Sequence, residues 1–142
     1  MKKVVGVGIL LAAVISVASP ASSAWVEIDR TYKDEVTYVD SSRIRINGTK
    51  AYYWAMATYA RPRQFPGLST SASSEVTQVI VDCERQVGAT AFFAWYAGPN
   101  ATGATVTTLA IPENELKFYP LVPNSLADKG AQIACAAPSH HQ

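Results

Sequence analysis

Alternating apolar and polar positions recur along most of the chain and predict short β-strands. The clearest run covers 75–85, where alternation places Val79, Val81 and Cys83 on one face. We therefore predict a core strand at this position, with a cysteine that can anchor it to another part of the fold.

Further strands are predicted on both sides of this run. They cover 25–30, 36–39, 44–46, 49–59, 89–97 and 104–111. Asn47-Gly48 separates two of them and is typical of a type I′ hairpin turn. The strand after this turn is apolar on both faces, with Tyr52 on one and Tyr53 on the other, which predicts a central strand or one packed on both sides.

A single helix is predicted near the C-terminus. Ser125 can act as its N-cap, with Asp128 three residues later in a variant of the capping box. A wide apolar arc follows on a period of 3.6 residues, formed by Leu126, Ala127, Ala131, Ile133, Ala134 and Cys135. The stretch before it, 118–123, is limited by two prolines and is predicted to be an extended connector.

The first 24 residues are typical of a secretory signal peptide. Lys2 and Lys3 precede an apolar run of about fifteen residues, and small residues lead up to Ala24. The apolar run is shorter than the roughly 20 residues that span a bilayer, and no cysteine near Ala24 offers a site for a lipid anchor. We predict cleavage after Ala24, one domain over 25–137, a flexible tail over 138–142 and an exported, unanchored product that is periplasmic or secreted.

Charge and cysteine count narrow the class of protein. Removing 24 of the 142 residues leaves 118, and dropping Lys2 and Lys3 from the 12 basic side chains leaves 10 against 11 acidic ones. This balance does not favour a nucleic-acid partner. The only two cysteines, Cys83 and Cys135, are predicted to form a disulfide in an oxidising compartment, with two free buried thiols as the alternative.

The residues that usually carry catalysis are sparse. Both histidines, His140 and His141, fall in the predicted tail, and Asp82 with Glu84 supplies too few oxygens for a cation. A small hydrolase would require a pocket that joins the separate residues 40, 42 and 43. We predict no catalytic residue, no metal and no cofactor.

Five residues are candidates for binding. Arg61, Arg63 and Phe65 lie in 61–74, a stretch without periodicity that is predicted to be a long loop, and arginine and aromatic residues are enriched at recognition surfaces. Tyr52 and Tyr53 could line a groove on the sheet. An ordinary loop and ordinary core packing are the respective alternatives.

Several short motifs, in this order, resemble the bacterial surface-adhesin protein E family. They are Trp25-Val26-Glu27-Ile28, Val36-Thr37-Tyr38-Val39-Asp40 with Ile44, Trp54 and Tyr59, Val81-Asp82-Cys83, Tyr96-Ala97-Gly98, Tyr119 to Ser125 and the final Cys135. The resemblance extends across essentially the whole mature chain.

This resemblance implies an antiparallel sheet whose C-terminal helix is tied to it by the disulfide. Together with the strand and helix pattern, it gives the predicted fold class: α+β, a single antiparallel sheet of about six strands with a packed, disulfide-tethered helix. In function the resemblance implies a non-catalytic binding protein whose ligands are protein partners, such as host matrix proteins, or haem. It also implies that the protein can form a homodimer. The alternative hypothesis is a periplasmic accessory domain that pairs with another envelope protein through a sheet edge.

Overall fold

The computed structural model describes residues 24–138, so the predicted signal peptide apart from Ala24 and most of the predicted tail lie outside the described residues. Within this range the chain forms eight strands, one short 3-10 turn at Glu113–Glu115 and one α-helix. The elements are β1 Trp25–Asp29, β2 Glu35–Asp40, β3 Arg45–Asn47, β4 Lys50–Arg63, β5 Ala72–Asp82, β6 Val87–Tyr96, β7 Thr105–Ala110, β8 Tyr119–Pro120 and α1 Leu126–Ala136.

All eight strands belong to one antiparallel sheet in the order β1-β2-β4-β5-β6-β7, with β3 paired to β4 and β8 paired to β6. The α+β class and the central position of β4 are confirmed, but the sheet has more strands than the six or so predicted. β8 accounts for part of the difference, because Tyr119 and Pro120 lie within the predicted connector yet pair with Gly88 and Val87. The pairing partner is remote in sequence, so local pattern gave no sign of it.

The predicted hairpin at Asn47-Gly48 is present, but its turn is displaced by one residue. Asn47 pairs with Lys50, so the two central residues are Gly48 and Thr49. Of these only Gly48 has a positive φ, at 60°. Glycine at the first central position is typical of a type II′ turn rather than the predicted type I′.

The predicted strand over 75–85 is also displaced, because β5 begins at Ala72 and ends at Asp82. The Asp82 carboxylate accepts hydrogen bonds from the backbone N–H groups of Glu84 at 3.1 Å and Arg85 at 3.0 Å. Asp82 is buried, so its carboxylate stabilises this turn. Cys83 therefore stands just beyond the strand, in that turn.

The stretch 61–74 is not a long loop. β4 continues through a bulge to Arg63, which pairs with Ala72, and the connection shortens to 64–71. Pro62 lies in the irregular part, where a missing backbone N–H does not break the ladder. The long β4-β5 hairpin escaped prediction because a bulge disrupts the two-residue alternation on which strand prediction depends.

The helix is confirmed as predicted, with Ser125 as its N-cap. The Ser125 hydroxyl accepts from the Asp128 N–H at 3.2 Å, and Asp128 in turn accepts from the Asn124 N–H at 2.8 Å. α1 lies against β4 and β1. Its buried face joins residues of the sheet in one core, formed by Val39, Ala51, Tyr53, Val81, Ala131 and Ala134.

Two side-chain links hold the helix to the sheet. Cys83 and Cys135 form the predicted disulfide, with an S–S distance of 2.05 Å and 5.8 Å between their Cα atoms. The Lys129 ammonium donates to the buried Asp29 carboxylate at 2.8 Å, which ties the other side of α1 to β1. This hydrogen bond, helped by another from Thr31, holds the pKa of Asp29 below its ordinary value.

Asp40, Ser42 and Arg43 lie together in the turn that follows β2. The Asp40 carboxylate is fully buried and accepts from the Ser42 N–H at 3.0 Å, from the Ser42 hydroxyl at 2.6 Å and from the Arg43 guanidinium. Burial alone raises the pKa of Asp40, but these hydrogen bonds outweigh it and leave the pKa below its usual range. The group therefore caps the turn after β2.

Candidate functional site

Aromatic side chains form a continuous cluster where the β4-β5 hairpin meets β6. The ring of Phe65 lies 5.7 Å from Tyr59 and 6.2 Å from Trp95, and Trp95 stacks on Phe93 at 5.5 Å. The Arg63 guanidinium lies 4.1 Å above the Tyr59 ring. We call Tyr59, Arg63, Phe65, Phe93 and Trp95 the hairpin cluster.

Arg63 is held on two sides within this cluster. Its guanidinium donates to the Glu35 carboxylate on β2 at 2.7 Å while it covers the Tyr59 ring. Phe65 is partly buried because it folds back onto Tyr59. Two of the three residues predicted to lie in a loop are therefore fixed against the sheet, whereas Arg61 is exposed.

The two predicted tyrosines lie elsewhere. Tyr53 is only 2 % exposed and lies under α1, where its hydroxyl faces Gly130. Tyr52 is on the opposite face and is 8 % exposed; its hydroxyl donates to Glu113 at 3.1 Å and its ring is covered by Arg45. Of the five candidate residues, Arg61, Arg63 and Phe65 are near each other in the structure, and the tyrosines are separate from them.

A cavity of about 210 Å³ lies between the N-terminal end of α1 and the sheet. Its lining is mostly small and apolar, with Leu126 and Ala127 from the helix and two acidic residues, Glu35 and Glu75, from the sheet. We call it the helix-end cavity. The sheet residues that line it, apart from the acidic pair, are Ile28, Thr37, Tyr53, Ala55, Met56, Ala57, Thr77, Val79 and Thr90.

Glu75 is the residue of this region that sequence reasoning missed. It is partly buried, and burial raises the pKa of its carboxyl; the indole of Trp95 opposes this shift and the like charge of Glu35 adds to it. The Trp95 Nε1–H group is buried close to that carboxyl, yet it makes no hydrogen bond of acceptable geometry within the described residues. Glu75 is thus a desolvated acid beside a donor that is not fully used.

We expect Glu75→Gln to be more stable than the wild type at pH 7. Because the pKa of Glu75 is raised above 4.5 in the folded protein, the folded state binds the proton more tightly than the unfolded chain. The free energy of unfolding therefore falls as pH rises from about 4.5 through the folded pKa. Thermal unfolding measured from pH 3 to pH 8 should show the variant gaining on the wild type across that window.

The matched control is Glu84→Gln, which removes the same charge from an exposed position. Its stability should differ little from that of the wild type, because the position is exposed. A Glu75→Gln protein that is less stable than the wild type at pH 7 would contradict the assignment of Glu75 as a destabilising buried acid.

A second cavity, of about 490 Å³, adjoins the first. Both are lined by Val79, Thr90 and Ala127, so they meet below the first turn of α1. The second extends toward Phe93 and the segment after β7, and its lining is mainly apolar. The two cavities together form a groove that α1 leaves open on its side of the sheet.

The fold and the hairpin cluster define a small antiparallel sheet domain with a disulfide-tethered C-terminal helix and an arginine-aromatic surface. The sequence model of the family described as surface-adhesin protein E matches residues 25–136. This chain belongs to that family, and the resemblance noted from its motifs is confirmed. A family of this description consists of surface-binding proteins.

Solved structures agree at the level of the fold. The crystal structure of protein E from non-typeable Haemophilus influenzae is 17 % identical, with 84 % of this chain and 80 % of that chain covered and a TM-score of 0.57. The selenomethionine form of Haemophilus influenzae protein E is 20 % identical over 84 % of this chain and 93 % of that one, with a TM-score of 0.59. None of the curated proteins matches this sequence. Over residues 24–138, no helix has the length and apolar character needed to cross a membrane.

Proposed function

We propose that the protein is an exported, non-catalytic binding protein that contacts protein partners through Arg61, Arg63 and Phe65. The proposal includes cleavage of a signal peptide after Ala24 and an unanchored product in the periplasm or outside the cell. Membership of a surface-adhesin family supports a binding role. We choose this surface for one main reason: Arg61 is exposed and stands two residues before Arg63, whose side chain is ordered in the hairpin cluster.

The hairpin cluster has the properties of a recognition surface. Arginine and aromatic side chains are enriched among residues that contribute most to binding, and contacts cost less when side chains are already ordered. Arg63 is ordered by Glu35 and Tyr59, and 37 % of its side chain stays exposed. Arg61 forms no ion pair within residues 24–138, so its charge is available to an acidic partner.

The family resemblance supplies the partner classes in this proposal: host matrix proteins, with haem as a small-molecule ligand and a homodimer as the assembly. The apolar cavity of about 490 Å³ falls within the range of roughly 300–1,000 Å³ that is usual for small-molecule sites, which supports a ligand of that size. A shift of the haem absorbance band on titration with the oxidised protein tests the ligand directly.

A second candidate function, pairing with another envelope protein through a sheet edge, is favoured by β7. This strand pairs only with β6, so its other edge has no partner strand among the described residues. Its sequence, Thr105-Val106-Thr107-Thr108-Leu109-Ala110, has no charge or proline and is largely exposed. Edges of this composition accept an added strand readily, since nothing in them opposes pairing.

One binding experiment separates the two functions. The oxidised protein is immobilised and tested against a panel of purified matrix proteins and against periplasmic extract. We expect Arg61→Ala to weaken matrix-protein binding about tenfold or more, as hot-spot arginines do. Thr108→Lys, which places a charge on the free edge, should leave that binding unchanged.

The control is Lys33→Ala, which removes the same charge from an exposed position on another loop. A partner that is lost with Thr108→Lys and kept with Arg61→Ala would favour the edge-pairing function instead. Binding that survives both substitutions would refute the hairpin surface and the β7 edge alike.

A further inference from the structure

We propose that the helix-end cavity binds a small amphiphilic ammonium compound, with its apolar body in the cavity and its cationic group against the Glu75 carboxylate. This site adjoins the hairpin cluster, because Glu35 lines the cavity and pairs with Arg63, but it does not include the exposed Arg61. Three features support this ligand: the shape and lining of the cavity, the charge at one end of it, and its continuity with the second cavity.

The size and lining of the cavity favour a compact apolar molecule. Its volume of about 210 Å³ is below the roughly 300–1,000 Å³ of sites for drug-sized ligands, so it suits a fragment-sized body. The floor is formed by small side chains such as Ala55, Ala57 and Thr77, and Leu126 closes one side. Small floor residues leave the space that a larger side chain would have filled.

The charge at the end of the cavity favours a cation. Glu35 already has a partner in Arg63, at 2.7 Å. Glu75 forms no ion pair with any residue between 24 and 138. The charged group that raises the pKa of its carboxyl is Glu35, which has the same charge. A partly buried carboxylate without a counter-ion attracts a cation and opposes an anion, because little water is available to screen either interaction.

The surroundings of Glu75 suit an organic ammonium better than a metal ion. A calcium ion takes six to eight oxygen ligands, and no group of three or more potential metal ligands is present within the described residues. An ammonium group requires only a few acceptors, and the aromatic rings of the adjacent hairpin cluster favour cations near their faces. The Trp95 Nε1–H group lies close to the Glu75 carboxyl and can help to hold it in place.

Continuity with the larger cavity gives the ligand room to lengthen. The two cavities share Val79, Thr90 and Ala127, and the larger one is lined mainly by apolar groups such as Phe93 and Leu116. A longer alkyl chain can therefore pass from the helix-end cavity into the second cavity without exposing more apolar surface. Affinity should rise with chain length while the charged end stays at Glu75.

The test uses n-octylammonium as the probe and octanoate as its anionic counterpart, each titrated into the oxidised protein at pH 7.5. We expect saturable octylammonium binding with a Kd of about 1 mM, which is ordinary efficiency for nine heavy atoms. Octanoate should bind at least about tenfold more weakly. Backbone amide shifts in two-dimensional NMR should locate the probe at Thr37, Ala57 and Thr77.

Two variants test the role of Glu75. Glu75→Gln should weaken octylammonium binding about tenfold while octanoate binding stays the same or improves, since only the charge is removed. Glu84→Gln, at an exposed site, should bind both probes as the wild type does. Glu75→Asp keeps the charge on a shorter side chain and should retain most of the affinity, which also covers failure of the glutamine variant to fold.

Three results would overturn the proposal. The first is absence of saturable octylammonium binding below 10 mM, a limit about tenfold above the expected Kd. The second is equal affinity for octylammonium and octanoate, and the third is binding that Glu75→Gln leaves unchanged.

Discussion

Replacing both cysteines, as Cys83→Ala/Cys135→Ala, should lower the free energy of unfolding by about 4 kcal/mol. The bond joins positions 52 residues apart, and a cross-link over a loop of that length removes about this much chain entropy from the unfolded state. The disulfide also holds α1 against the sheet, and a helix of 11 residues would be only marginally stable by itself. Loss of helix should therefore accompany loss of stability.

Urea unfolding of the variant, followed by circular dichroism at 222 nm, measures both effects. The wild type in reductant should approach the variant, and the variant itself should not respond to reductant. A decrease of less than about 1 kcal/mol would mean that packing and the Lys129–Asp29 pair are sufficient to hold α1.

Tyr53→Ala should be about as destabilising, at roughly 4 kcal/mol, because it removes a large buried ring from the centre of the core. Tyr53 is 2 % exposed and lies between β4 and α1. The matched control is Tyr32→Ala, at a position that is 62 % exposed, and it should change stability little. If the two variants unfold in urea with the same m-value, their urea midpoints compare their stabilities directly.

A double-mutant cycle with Gly130 tests the contact itself. A Cβ atom added at Gly130 would lie 2.6 Å from the Tyr53 hydroxyl oxygen, so Gly130→Ala should destabilise the wild type. In the Tyr53→Ala background that contact is absent, and alanine should instead stabilise the helix by up to about 1 kcal/mol. The same sign in both backgrounds would show that the glycine is not required for close approach of the helix.

Local chemistry made the terminal helix and its bridge predictable. Ser125 and Asp128 are three residues apart, so their capping contacts can be inferred from sequence alone. Two cysteines leave only one intrachain pairing. By contrast, β5 ends where Asp82 turns the chain, and β4 reaches Arg63 only through a bulge. Neither feature changes the apolar pattern of the sequence, so these strand ends could not be predicted from it.

The candidate site was predictable only in part, because it is assembled by strand register. The residue types of Arg63 and Phe65 indicate a binding role, but their contacts with Glu35, Tyr59 and Trp95 require four neighbouring strands to be aligned. In the sequence, Glu75 looks like an ordinary polar residue of an alternating strand, so its burial could not be predicted. Its burial follows from its position opposite Ala57 and Trp95, a pairing that no local pattern specifies.

Five of the seven strand pairings among the described residues join strands that are consecutive along the chain, which bears on how the protein assembles. β4 pairs with β5, β5 with β6 and β6 with β7, so these hairpins can form one after another as the polypeptide emerges. The helix must return across the finished sheet to reach Tyr53, and only then are Cys83 and Cys135 adjacent. Oxidation is therefore expected as the closing event of folding, and a stalled chain should accumulate as a reduced sheet whose last segment is undocked.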